Sequence, residues 1–141
     1  MDILIQNKKA RFNYFILETL EVGIKLQGLE VKAILAKDVS IEESWVKILD
    51  GTALLIGASV MPKQVPSWEN YVPTRDRVLL LKKRQIKKLE EQLQAGLTIV
   101  PTKIYLNTRH LIKVEIAVVK GKKLYDKRET IKERDLKRYG Y

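Results

Sequence analysis

Apolar and polar residues alternate from Tyr14 to Gln27. Tyr14, Ile16, Leu20, Val22, Ile24 and Leu26 share one parity, broken only by Glu18, while Phe15, Leu17, Thr19, Glu21, Gly23, Lys25 and Gln27 share the other. This alternation predicts a half-buried strand. Fourteen residues is long for one strand, so a bend or bulge is expected at Gly23. After Gly28 the spacing changes, and Val31, Ile34 and Leu35 predict a short helix over 29–36. Ser44 to Val60 reads as a hairpin around Asp50-Gly51, a dipeptide suited to a two-residue turn with positive φ.

Residues 61–76, with Pro62, Pro66, Ser67, Asn70 and Pro73, predict a long irregular loop, of the kind that is functional or mobile in a small domain. Arg77 to Leu81 predicts a short strand leading into a helix over 82–93, where Ile86, Leu89 and Leu93 make an apolar stripe. Gly96 is placed to end that helix. Its cations come first and Glu90-Glu91 late, against the macrodipole, at a cost of up to about 1 kcal/mol per charge. That order suits a partner-facing surface and an ordinary solvated face equally. Thr98 to Leu106 and Leu111 to Val119 predict a second hairpin around Asn107–His110, with Ile112, Val114, Ile116 and Val118 facing one way and Lys113 and Glu115 the other. The result is a mainly β class: a small six-stranded barrel with two or three flanking helices over residues 1–119.

Charge adds a second part. The final 22 residues, 120–141, hold nine Lys or Arg against four Asp or Glu, half of the chain's formal charge of +10. Their apolar residues, Leu124, Ile131 and Leu136, are too few for a core, so a flexible basic C-terminal tail is expected, ordered or helical only on a partner. A pI near 9.7 points to a polyanionic partner, nucleic acid or an anionic membrane surface. Among small barrels, the oligonucleotide-binding type fits the size and the charge. No apolar run is long enough to span a membrane, and the N-terminus lacks a secretory pattern. The chain has no cysteine, hence no disulfide, thiol nucleophile or thiolate metal site, and a cytoplasmic location is expected.

Catalytic sets are missing from the pattern. The single histidine, His110, falls in a predicted turn, and neither a zinc signature nor a phosphate-cradling glycine loop is present. Glu42-Glu43 and Glu90-Glu91 are adjacent pairs, a spacing unsuited to a general acid/base dyad. No enzyme, cofactor or metal is expected. Cation and aromatic chemistry remains: Lys and Arg neutralise phosphates, and tyrosines stack on exposed bases. Tyr125 lies in the basic tail, and stacking on a base or packing back on the barrel edge both suit it. Lys103 and Tyr105 share an odd-numbered strand face that lies beside outward-facing Lys113, which is either an RNA surface or a plain polar sheet face.

The motifs themselves have a family pattern. Gly121-Lys-Lys-Leu-Tyr-Asp-Lys-Arg128 followed by Ile131-Lys-Glu-Arg-Asp135 closely resembles the tail motif of the SsrA-binding protein family, small protein B of bacterial trans-translation. Asn7-Lys-Lys-Ala-Arg11 with Tyr14-Phe-Ile is similar to the family's opening, Glu21-x-Gly-Ile and Gly28-x-Glu-Val-Lys32 to its next block, and Arg75-x-Arg77 with Leu79-Leu-Leu81 and Arg84 to its central block. The likeness runs from about Asn7 to Arg138. This chain departs from the pattern at Ala33, Leu35, Val72 and Val78, and its tail stops early at Tyr139-Gly-Tyr141.

The resemblance implies an oligonucleotide-binding-type barrel that binds the tRNA-like domain of transfer-messenger RNA. It implies delivery, with elongation factor Tu, to ribosomes stalled without a stop codon, where the tail probes the empty decoding centre and mRNA channel. By motif match Asn7, Glu21, Leu80 and Lys113 are RNA-binding candidates, joined by the cations Lys8, Arg11, Lys32 and Lys103. Glu21 would accept from a base amino group or a 2′-hydroxyl, or orient a lysine. Tyr125, Asp126, Lys127 and Arg128 carry over as decoding-centre residues, with Lys122, Lys123, Lys132 and Arg134 beside them. A monomer without a membrane partner is expected. A structural ribosomal protein with a basic extension would share the composition; it would stay on salt-washed idle ribosomes.

Overall fold

The computed structural model describes residues 2–65 and 71–121. In chain order these form β1 (Asp2–Gln6), α1 (Lys8–Asn13), β2 (Tyr14–Ile24), α2 (Gly28–Leu35), β3 (Val39–Ser40), β4 (Trp45–Leu49), β5 (Thr52–Ile56), β6 (Ser59–Val60), β7 (Arg77–Leu80), α3 (Lys83–Gln94), β8 (Thr98–Leu106) and β9 (Ile112–Gly121). The expected tail from Lys122 onward, and positions 66–70 of the expected loop, lie outside the described residues. Lys120 and Gly121, assigned above to the tail, are the last two residues of β9.

Seven strands form one antiparallel sheet in the order β1-β8-β9-β2-β7-β5-β4. β3 and β6 pair separately. β4, at one end of the order, curls back against β8 near the other end. The sheet is therefore barrel-like but not closed by a hydrogen-bonded ladder. The mainly β class with flanking helices stands, while the six strands expected are nine among the described residues. The additions are β1 and the β3–β6 pair, each too short to carry a periodic signal.

Local chemistry accounts for the predicted elements. Asp50 and Gly51 have φ of 50° and 75°, the left-handed pair that a tight β4–β5 turn requires. α3 ends in a Schellman motif: Gly96, at φ 91°, donates to the Leu93 carbonyl and Leu97 to the Gln92 carbonyl. α2 begins with a capping box in which the Glu30 carboxylate accepts from the Gln27 backbone N–H at 2.7 Å.

The bulge in β2 is at Leu17, not at Gly23. Ile16 pairs with Val119 and Glu18 with Val118, so Leu17 is the extra residue. One inserted residue reverses the faces of everything beyond it. Tyr14 and Ile16 accordingly pack with Ala10, Val100, Ala117 and Val119 in a small core under α1. Leu20, Val22 and Ile24, of the same parity, pack instead into the main core with Val114, Ile116 and Val118. β8 does the same at Thr102: Val100 faces the small core, while Ile99 and, beyond the bulge, Ile104 face the main one. Glu18 interrupts the apolar parity because α3 passes over it, where its carboxylate accepts from Gln92 at 3.0 Å and meets Lys88 at 3.5 Å.

A buried ionic cluster joins α2 to β7. Glu30 and Arg77 are fully buried. Arg77 Nε donates to Glu30 Oε2 at 2.6 Å, and its other nitrogens donate to the carbonyls of Ala58, Pro73 and Arg75 at 2.9–3.1 Å. Arg75 grips both carboxylate oxygens of Glu30. Burial pushes the Glu30 carboxyl up, but its hydrogen bonds to Arg75 and Gln27 and the charge of Arg77 outweigh that and hold it below the usual value of 4.5. Among the departures, Ala33 is buried in the main core while Leu35 and Val72 are exposed.

Candidate nucleic-acid interface

Strand register gathers most of the candidate residues on one outer face. In one row across the sheet, Lys103 of β8, Glu115 of β9 and Glu21 of β2 are neighbours. In the next row stand Tyr105, Lys113, Gly23 and Leu80, from β8, β9, β2 and β7. The Thr102 bulge is what turns Lys103 and Tyr105 outward while Ile99 and Ile104 stay in the core.

Two depressions flank this face. A groove of about 570 Å³ is lined by Glu21, Gly23, Val78, Leu80, Lys82 and Lys113, among others. Leu80 is exposed, an apolar part of the groove that Glu21 and Lys113 also line. Gly23 makes room for it: a Cβ at Gly23 would meet the Leu80 Cβ and Cδ1 at 3.3 Å. Close approach, not a bend, is the use of this glycine. A smaller depression of about 70 Å³ is lined by Asn7, Lys8, Arg11, Thr102, Lys103 and Glu115. Lys8 and Arg11 are exposed there on α1.

The charges on the face are used unequally. Glu115 is committed: Thr102 donates to its Oε2, and Lys103 Nζ lies 4.0 Å from Oε1. Lys103 also sits 5.7 Å from the centroid of the Tyr105 ring. The Tyr105 hydroxyl donates to Glu21 Oε2. Burial, then the bond to Glu21 and the charges of Glu21 and Glu115, push the Tyr105 hydroxyl far above its usual pKa of 10.0. Lys113 forms no ion pair among the described residues, which leaves a cation open to a phosphate or base.

The structure thus brings Glu21, Leu80 and Lys113 together, with Lys8, Arg11 and Lys103 alongside. Lys32 is not with them: on α2 it lines a separate depression with Leu29, Asp38, Pro62 and Lys63. Asn7 is near the face but buried. Its side-chain amide donates to the carbonyls of Ile41 and Pro101 at 3.2 and 2.9 Å, and its Oδ1 caps α1 by accepting from Ala10 N–H at 3.1 Å. All three of those bonds stay inside the protein. Tyr125, Asp126, Lys127, Arg128, Lys122, Lys123, Lys132 and Arg134 lie outside the described residues. His110 is exposed in the β8–β9 turn at φ 59°. Among the described residues no group of His, Asp and Glu is placed to hold a metal.

Sequence reasoning missed the roles of Thr102 and Glu115, and of Gly23 as the slot for Leu80. The one available signal was the change of apolar parity along β8, from Ile99 to Ile104.

Fold and face define a class: a small curled-sheet module with three flanking helices among the described residues and a partly apolar groove carrying cations on its outer surface. The sequence pattern of the SmpB protein family matches residues 4–140, and the chain belongs to that family. It is 47% identical over 139 residues to the SsrA-binding protein of Thermosipho melanesiensis, covering 98% of this chain and 95% of the relative. It is 45% identical to that of Ehrlichia canis, covering 98% and 94%. The fold is similar, with a TM-score of 0.68 and 40% identity, to a chain in a solved structure described as "tmRNA-SmpB: a journey to the center of the bacterial ribosome", covering 84% of this chain and 83% of that one.

Proposed function

We propose that this chain binds transfer-messenger RNA and accompanies it to stalled ribosomes in trans-translation. Membership of the SmpB family over nearly the whole length is the observation that carries this reading. The outer face supplies the chemistry: phosphate-neutralising cations on α1, β8 and β9 around an open, partly apolar groove. Glu21, Leu80 and Lys113 take an unstacked nucleotide of the RNA, while Lys8, Arg11 and Lys103 hold its backbone. Asn7 supports the face from beneath by fixing the start of α1. Lys32 lies on another surface and contributes only a more distant phosphate contact.

The basic segment from Lys122, centred on Tyr125, Asp126, Lys127 and Arg128, reads the empty decoding centre, with Tyr125 stacking and Lys122, Lys123, Lys132 and Arg134 following the channel. Elongation factor Tu joins through the RNA, and the protein acts as a cytoplasmic monomer without enzymatic activity of its own. No helix among the described residues is long and apolar enough to cross a membrane. Calorimetric titration against transfer-messenger RNA and bulk tRNA at physiological salt tests the reading. Clear preference for the former supports it, and equal affinity refutes it.

A further inference from the structure

Glu21 is a carboxylate in the middle of a cationic face, where a phosphate would be repelled and a nucleotide N–H or O–H donor accepted. Of the two carboxylates in its row, Glu115 has both oxygens committed, to Thr102 and to Lys103. Glu21 has one oxygen committed, to Tyr105, and Oε1 has no partner among the described residues. Tyr105 is 4% exposed, so packing holds its ring, and its hydroxyl meets Glu21. Packing thus fixes the ring, and the ring fixes the hydroxyl.

We infer that Tyr105 is a positioning residue for RNA recognition: its hydroxyl anchors Glu21 Oε2 so that Oε1 faces the groove beside Lys113 as a fixed acceptor for an amino, imino or 2′-hydroxyl donor of a bound nucleotide. The arrangement sets register as well as affinity. A phosphate can settle on Lys113 but not on Glu21, so the chain of phosphates is steered past one side of the groove and a donor edge into it. An unanchored glutamate would lose side-chain freedom on binding, and the Tyr105 bond removes that loss in advance. This inference rests on the reading of the outer face as the RNA-binding surface.

The test is a double-mutant cycle on the full chain with transfer-messenger RNA, using Tyr105→Phe, Glu21→Ala and the pair, with thermal melts to confirm folding. Tyr105→Phe keeps the buried ring and removes only the hydroxyl. Its expected effect is an affinity loss of about tenfold, the scale of a hydrogen bond to a charged group. In the Glu21→Ala background the same change is expected to have no further effect. The slope of affinity against salt should stay unchanged, because no cation is removed. A general structural role for Tyr105 would lower affinity equally in both backgrounds, and that result overturns the inference. So does a loss with Glu21→Ala alone and none with Tyr105→Phe. Unchanged affinity in Glu21→Ala overturns the underlying assignment of the RNA face itself.

Discussion

Replacing Glu30 by Gln should be among the most damaging single changes in the protein. The substitution keeps shape and removes the one negative charge paired with Arg75 and Arg77 among the described residues. Both Glu30 and Arg77 side chains are essentially inaccessible, at 0% and 1%, and Arg75 is 29% exposed. Three of the Arg77 hydrogen bonds run to backbone carbonyls and survive, but among the described residues no negative charge remains to offset the buried guanidinium. Removing one partner of a buried ion pair costs about 3–5 kcal/mol. At about 4 °C per kcal/mol for a domain of this size, the melting temperature should fall by roughly 12–20 °C. Circular dichroism melts at neutral pH measure this. The Glu30 carboxyl is held below its usual 4.5, so its contribution is complete above that value and is lost as pH falls through the lower folded-state value. The gap between parent and variant should therefore narrow only below about pH 4.5. A variant melting within about 4 °C of the parent, or a gap that does not change in acid, refutes the argument.

Asn7→Ala removes the α1 cap and the side-chain bonds to the Ile41 and Pro101 carbonyls, of which Ile41 keeps Ser44 as a donor, with an expected loss of about 2–3 kcal/mol in urea denaturation. Lys113→Ala should weaken binding of transfer-messenger RNA and reduce the slope of log affinity against log salt by about 1 in filter-binding titrations. Gly57→Ala places a Cβ 2.8 Å from the Glu43 carbonyl oxygen at φ +85°, and thermal melts should show a loss of about 2 kcal/mol or more. Tyr125→Ala, or joint replacement of Asp126, Lys127 and Arg128 by Ala, should leave RNA affinity unchanged and lower tagging of stalled chains in a reconstituted assay. Loss of RNA binding in those variants would refute the division between face and tail.

Several elements were legible because their signals are local. Alternation located β2, Asp50-Gly51 the β4–β5 turn, and Gly96 the end of α3, since turn and cap geometry depends on a few adjacent residues. β1 and α1 escaped for the opposite reason. Five strand residues and six helical ones carry no readable period, and α1 is held by Asn7 bonds to Ile41 and Pro101, far away in sequence. Nothing in the sequence marked Glu30, Arg75 and Arg77 as a buried cluster, because burial of a charge depends on partners that only the folded chain supplies. The candidate face was half legible: the outward parity of Lys103, Tyr105 and Lys113 was visible, but their alignment with Glu21 and Leu80 was not.

Sequence by itself determined the class of the molecule. A basic, cysteine-free chain with strand periods, two amphipathic helices and a chain-long series of family motifs admits few other readings. Tertiary structure decided which side of each strand looks where. Single extra residues at Leu17 and Thr102 turn one apolar parity into two separate cores and send Lys103 and Tyr105 to the outer face. A bulge shifts register by one position, and because strand side chains alternate, that shift exchanges inside for outside along the rest of the strand.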